Sequence, residues 1–212
     1  MTKFVGLFGG TFDPVHKGHS ELVNHLIKDY PFDLIHVIPS ANPPHRKKTY
    51  CSFNKRLEMT RLAFEMNKYV KVDSREALRE GPSYAIDTII SFKKELKESN
   101  LFWILGIDSF LTIESWHRWE ELLDSVNFFV MSRPEVQLEP NSLALQLIEE
   151  RGCVDIYDCN SSKNIFYTSI KDIEISSSKI RSELGKEVFN EEILDMKILN
   201  FIKENKLYLR NS

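Results

Sequence analysis

Several large protein classes are excluded by what this chain has little of. It carries three cysteines in 212 residues. Cys51, Cys153 and Cys159 form neither a Cys-x-x-Cys pair nor an even-numbered framework, so free thiols in a reducing compartment are expected. No apolar run reaches the about 18 residues of a membrane-spanning helix, and no signal-peptide pattern is visible, so the expectation is a cytoplasmic protein with no membrane partner. Basic residues are not in excess. The 28 Lys and Arg against 31 Asp and Glu leave a net charge of −3, which argues against bulk nucleic-acid binding. There is no G-x-x-x-x-G-K-[ST], no G-x-G-x-x-G and no serine nucleophile elbow, which removes the P-loop, the dinucleotide fingerprint and serine-hydrolase chemistry. Neither a carboxylate cluster nor a third ligand beside the paired histidines suggests a protein-built metal site. No internal repeat, low-complexity segment or linker breaks the chain.

What is present is an alternation of strand and helix patterns. Strands are expected at 3–9, Leu34–Pro39, Tyr69–Asp73, Leu101–Leu105 and Asn127–Met131. Helices are expected at 18–30, Asn54–Asn67, Tyr84–Glu98, Ser142–Glu150, Ser177–Leu184 and Glu191–Asn205. Such alternation implies an α/β fold, a Rossmann-like parallel sheet with helices on both faces, whose ligands sit at the C-terminal strand ends. Leu101–Leu105 is nearly all apolar and is expected to be central. The length suits one domain over 1–212, with the C-terminal helices from about 176 packing as a subdomain.

The motifs gather at that sheet edge. The first is Gly9-Gly10-Thr11-Phe12-Asp13-Pro14-Val15-His16-Lys17-Gly18-His19. It leaves a strand, makes a glycine turn and enters a helix with two histidines three residues apart. Close backbone approach, free N–H groups, the positive end of a helix and two imidazoles are what a polyphosphate requires. The second is Ile175-Ser176-Ser177-Ser178-Lys179-Ile180-Arg181, where hydroxyls at a helix start and an arginine one turn on make another phosphate cradle. Simple serine capping is the alternative there. The basic loop over 39–52 holds Pro43-Pro44-His45-Arg46. Gly106-Ile107-Asp108 follows the apolar strand and offers a glycine for a flat base and a carboxylate for ribose hydroxyls. Trp116 is expected to stack on a ring and Trp119 to lie in the core. Pro82-Ser83-Tyr84-Ala85-Ile86-Asp87-Thr88 opens a helix, where capping alone accounts for Ser83.

Together these residues resemble the nucleotidylyltransferase superfamily, which joins an H-x-G-H type motif to an I-S-S-x-x-I-R motif. More closely, the chain is similar to the bacterial nicotinate-nucleotide adenylyltransferases, from Lys3 to about Arg210 and including the tail Phe201-Ile202 and Leu207-Tyr208. That resemblance implies adenylyl transfer from ATP, with Mg2+, to nicotinate mononucleotide, giving deamido-NAD and pyrophosphate in NAD biosynthesis. It implies catalytic roles for His16, His19 and Arg181. Gly9, Gly10, Thr11, Phe12, Gly106, Asp108, Ser177 and Ser178 would join them in binding ATP. His45, Arg46, Tyr84, Ala85, Thr88, Trp116 and His117 would bind the mononucleotide. Monomer and homodimer are both compatible with it. Arg46 stands where the family usually has lysine, Ala85 where it often has threonine, and Gly185–Phe189 replaces a basic, proline-containing stretch. Lys171–Glu174 lacks the arginine and glycine that cytidylyltransferases place before the serine motif. Rival readings are an enzyme using nicotinamide mononucleotide or both mononucleotides, and a non-catalytic nucleotide-binding module.

Overall fold

The computed structural model describes residues 2–44, 48–132, 136–159, 162–170, 175–184 and 191–208. In chain order the elements are β1 (Lys3–Gly10), α1 (Lys17–Asp29), β2 (Leu34–Pro39), α2 (Phe53–Phe64), β3 (Val70–Val72), α3 (Ala85–Glu95), β4 (Ser99–Gly106), α4 (Ile107–Phe110), α5 (Trp119–Ser125), β5 (Asn127–Ser132), α6 (Leu143–Arg151), β6 (Gly152–Cys153), β7 (Ile165–Ser169), α7 (Ser177–Glu183) and α8 (Met196–Glu204), with short 3-10 turns between some of them. The seven strands form one sheet in the order β3-β2-β1-β4-β5-β7-β6, and every pairing is parallel.

Alternation along the strands sends side chains to two cores. Phe8, Val37, Ile104 and Phe129 face one core with Val23 and Leu26 of α1, Met59 of α2, Ile180 of α7 and Ile198 of α8. Val5, Leu7, Leu105, Phe128 and Val130 face the other with Ile86 and Phe92 of α3, Phe110 of α4, Leu122 of α5 and Leu147 of α6. Burial on both faces explains why β4 reads as an unbroken apolar run, and β4 occupies the middle of the sheet as expected. The C-terminal helices share the first core with α1 and α2, and α8 packs on α2.

Several features depart from the sequence reading, among them α4, α5 and β6, which are not among the expected elements. β7 was not among the expected strands, although it pairs with β5 from Phe128↔Ile165 to Ser132↔Ser169. Its half-buried residues, ending on Thr168 and Ser169, carry no clean period. The stretch read as a helix from Glu191 to Asn205 divides into a 3-10 turn, Glu191–Ile193, and α8, because Asp195 caps α8 by accepting the Lys197 N–H at 2.8 Å. Cys153 and Cys159 are not free thiols. They form a disulfide with 6.3 Å between Cα atoms, brought into reach by the turn after β6, while Cys51 remains free and buried. Among the described residues no helix is long and apolar enough to cross a membrane.

Candidate active site

β1 is flanked by β2 on one side and β4 on the other, so the direction of winding reverses between β1 and β4. Their C-terminal ends open there onto a cavity of about 690 Å³. Open parallel sheets bind ligands at this switch point. Gly9, Gly10 and Thr11 from β1 and its loop form one wall, and Gly106 from the end of β4 another. Tyr84, Ala85, Trp116 and His117 close the far side. The Tyr84 and His117 rings stack at 4.0 Å and 24°, beside the half-buried Trp116, so the cavity presents flat aromatic surface at that end. A side chain built at Gly106 would meet nothing within 4 Å, so this glycine leaves the floor open.

The two glycines of β1 have a further reason. A Cβ on Gly9 would lie 2.9 Å from the Trp103 indole, and one on Gly10 would lie 2.8 Å from the Phe12 ring. Aromatic packing beneath the cavity therefore demands glycine at both positions. Phe12 itself is buried, has a left-handed φ of 49° and packs edge-on against His19 with centroids 5.0 Å apart. Its side chain is a packing element and does not reach the cavity wall.

His16 is not inside the helix. It is the extended residue before α1, and its N–H donates to His19 Nδ1 at 3.2 Å. This folds the two rings together, with centroids 3.7 Å apart and 36° between planes. Burial lowers the His16 pKa from 6.5 to about 4. Burial, and then the neighbouring His16, hold His19 well below the usual histidine range. Both imidazoles are therefore neutral at pH 7 in the free protein. His16 Nδ1 is buried and without a hydrogen-bond partner. The first turn of α1 has no acidic residue. Its orphan N–H groups and the histidine rings form a surface suited to an anion.

The serine motif docks onto this loop. Ser176 caps α7, accepting the Lys179 N–H at 3.2 Å. Ser177 Oγ donates to the Pro14 carbonyl at 3.0 Å, and Arg181 Nη1 donates to the Asp13 carbonyl at 2.6 Å. Arg181 Nη2 donates to Ser178 Oγ at 3.0 Å, and the guanidinium lies 4.2 Å from the centre of the Tyr50 ring. Residues about 160 apart in sequence thus meet within hydrogen-bonding distance.

Two expected contacts are placed elsewhere. Thr88 is fully buried and off the cavity wall, because its hydroxyl donates to Glu76 Oε1 at 2.7 Å and accepts from Arg79 Nη2 at 2.8 Å. Asp108 is exposed in the first turn of α4, and Ser109 takes the place beside Gly106 on the cavity wall. Ser83 is not the cap of α3; Tyr84 is, without a side-chain bond. Ser83 instead joins two loops: its Oγ accepts the Asn42 N–H at 2.9 Å and its N–H donates to the Asn42 carbonyl at 2.9 Å. His45 and Arg46 lie outside the described residues, as do Lys171–Glu174 and the 185–189 stretch. Trp119 is half-buried against the second core, as expected.

Other residues of the site went unread. Arg56 is fully buried on α2 and donates to the carbonyls of Thr11 (2.6 Å), Ala41 (3.3 Å) and Cys51 (3.4 Å), tying the histidine loop to both ends of the 39–52 loop. Glu76 is 4% exposed, lines the cavity, and has Oε2 without a partner. Asp73 is buried, which opposes ionisation, yet the His36 ring 3.6 Å away and the hydrogen bonds from Arg75 hold its carboxyl well below the usual range. No motif marks these positions. Arg56 and Glu76 are defined by partners more distant in the chain, Thr11 and Ala41 for the first and Thr88 for the second.

A doubly wound parallel sheet with a cavity at its switch point, a His-x-Gly-His loop and a serine–arginine helix docked upon it define a nucleotidyltransferase architecture. The chain belongs to the Cytidylyltransferase-like family, whose model matches residues 7–183. A relative from Pseudomonas paraeruginosa, described as "Probable nicotinate-nucleotide adenylyltransferase", is 35% identical over 210 residues, 98% of each chain. One of the same description from Aeromonas hydrophila is 32% identical over 206 residues, 96% of each. Among solved structures, the Plasmodium falciparum nicotinic acid mononucleotide adenylyltransferase complexed with NaAD superposes with a TM-score of 0.76 over 97% of both chains, at 18% identity. That likeness shows the fold.

Proposed function

We propose that this chain is a nicotinate-nucleotide adenylyltransferase, acting in NAD biosynthesis. The observation that carries this reading is the meeting, on one loop, of the aromatic cavity with the histidine–serine–arginine cluster. Whole-length similarity to relatives of that description supports it. The mononucleotide occupies the end lined by Tyr84, Ala85, Trp116 and His117, with its pyridine ring on Trp116. Adenosine lies over Gly106, with Ser109 beside it on the wall. Gly9, Gly10, Thr11, Ser177, Ser178 and Arg181 receive the phosphates of ATP, and the Phe12 backbone belongs to the same turn.

The 5′-phosphate of the mononucleotide has a second pKa of about 6 and is already mostly dianionic at pH 7, so no general base is needed. Its oxygen attacks the α-phosphorus, the bond to the α–β bridging oxygen breaks, and pyrophosphate leaves. His16 and His19, neutral in the free protein, enter as hydrogen-bond donors to the phosphates. The approaching negative charge raises their proton affinity, and Arg181 adds fixed charge. Catalysis is positioning and preorganised polarity. Among the described residues no three His, Cys, Asp or Glu side chains group as a metal site. ATP would enter with Mg2+, which would neutralise part of the phosphate charge without needing a protein-built cage. We read residues 1–212 as one domain of a cytoplasmic enzyme, monomeric or homodimeric, with no nucleic-acid or membrane partner.

The test is pyrophosphate release from ATP–Mg2+ with nicotinate or nicotinamide mononucleotide in parallel. A strong preference for the nicotinate form is expected. Equal rates would make the enzyme dual-specific. Release with neither, together with nucleotide binding, would leave a binding module. A labelled adenylyl-enzyme trapped with ATP alone would overturn direct transfer.

A further inference from the structure

The proposed reaction leaves Asp13 and the C-terminal Tyr208 without a task, yet the two are bonded across the whole length of the chain. Asp13 is 1% exposed. Its Oδ1 accepts the Tyr208 hydroxyl at 2.7 Å, and its Oδ2 accepts the Tyr50 N–H at 2.7 Å. Its carbonyl is the one that receives Arg181, and the next carbonyl, of Pro14, receives Ser177. Residues 13–14, three and two positions before His16, are thus held by the end of the 39–52 loop, by α7 and by the C-terminal tail.

The tail is shaped for this contact. After α8 the chain turns back, with the Leu207 N–H donating to the Ile202 carbonyl at 3.0 Å. Lys206 and Tyr208 both have left-handed φ, 52° and 59°. A tyrosine in that region is uncommon and persists only where its surroundings hold it. Leu207 and Tyr208 pack on the first core, which carries the hydroxyl inward to Asp13. Burial, then Cys51 and Asp13, push the phenol pKa upward, so the hydroxyl keeps its proton and stays a donor.

We infer that Tyr208 is a positioning residue: its hydroxyl locks the Asp13 carboxylate and so sets the histidine loop against Ser177 and Arg181. The inference rests on the adenylyl-transfer reading and deepens it. Without the hydroxyl, a buried carboxylate oxygen loses its partner, and residues 13–16 shift to find another. The cavity wall at Tyr84, Ala85 and Trp116 belongs to other elements and is not touched. Loss of Tyr208 therefore falls on the chemical step and spares mononucleotide binding.

The experiment is Tyr208→Phe in the full chain, with Asp13→Asn and Ile202→Val beside it. Each is followed by steady-state pyrophosphate release, thermal unfolding and the proton–carbon NMR resonances of the histidine rings. In Tyr208→Phe, kcat is expected to fall about 10- to 100-fold, with the KM for nicotinate mononucleotide held within about twofold. The His16 and His19 resonances of the nucleotide-free protein are expected to move. Asp13→Asn is expected to repeat the kcat loss, and it reports if the phenylalanine variant fails to fold. Ile202→Val loosens tail packing without touching Asp13 and is expected to keep the wild-type kcat. A Tyr208→Phe protein with wild-type kcat and unmoved histidine resonances would overturn the inference, as would an Ile202→Val protein with the same kcat loss. If the wild type releases no pyrophosphate with either mononucleotide, adenylyl transfer fails as the function, and the histidine resonances still decide whether Tyr208 orders the loop.

Discussion

The two halves of the site are built on opposite plans. The cavity half is open and aromatic: Tyr84, His117 and Trp116 border a space of about 690 Å³, and backbone from three elements completes the wall. The phosphate half is closed. His16 is buried, its ring rests on His19, and the carbonyls of Asp13 and Pro14 are taken by Arg181 and Ser177. A binding surface must leave room for its occupant. A site that stabilises transient charge must have its donors in place beforehand, because dipoles that need not reorganise during reaction are the most effective. Substitutions in the closed half are therefore expected to act on kcat, and those in the open half on KM.

The largest expected effect lies in the closed half. His19→Ala is expected to lower kcat about 10²- to 10³-fold, the cost of one transition-state donor, with a much smaller change in KM. Steady-state kinetics with ATP–Mg2+ and nicotinate mononucleotide read this directly. A large KM rise at unchanged kcat would erase the distinction between the halves.

The second effect is on stability against pH. The His16 pKa is about 4 in the folded chain and 6.5 when unfolded. Above 6.5 neither state binds the proton, and the full contribution is present. As pH falls from 6.5 towards 4, only the unfolded chain takes up the proton, and stability drains away by about 3 kcal/mol in total. Below about 4 both states are protonated and the loss from this group stops. Thermal unfolding of wild type and His16→Gln between pH 7.5 and 4 isolates the term: the variant is expected to show the shallower decline. Parallel curves would mean that the imidazole is not held neutral by burial.

The smallest expected effect concerns the support of the open half. Thr88→Val keeps the shape but removes the hydroxyl between Glu76 and Arg79, leaving buried polar groups unpaired at about 1–3 kcal/mol. The first turn of α3 loosens, and with it the Tyr84–Ala85 wall. The KM for the mononucleotide is expected to rise about tenfold, with kcat little changed. A fall in kcat at constant KM would place Thr88 with the chemistry instead.

The two halves also differ in how far they could be read from the chain. The closed half is dense in sequence: Gly9–His19 and Ile175–Arg181 are contiguous strings whose chemistry is carried by local spacing. What they withheld was their partner. Nothing near Asp13 announces that Tyr208 will reach it. The open half is sparse. Trp103 lies inside an apolar strand and reads as core, although it also fills the space beneath Gly9 and lines the cavity. Glu76 sits in a short charged turn with no pattern at all. Thr88 fell within a recognisable string and was assigned to the ligand, while helical rotation turns it toward Glu76. β7 was missed because its residues are only half-buried and show neither strict alternation nor a continuous apolar run.

By itself the sequence determined the architecture and the kind of chemistry. Apolar runs alternating with amphipathic helices admit a parallel sheet with its ligand at the C-terminal strand ends, and glycine turns with histidine, serine and arginine at helix starts suit phosphate. Local periods and local spacing suffice for both. Only the tertiary structure decided the state and setting of those groups: that the two histidines are neutral, that Gly9 and Gly10 make way for aromatic rings, that Cys153 meets Cys159, and that the C-terminal tail closes on the first loop. Burial and proximity shift a pKa or satisfy a carboxylate through groups far away in the chain, and those distances exist only after folding.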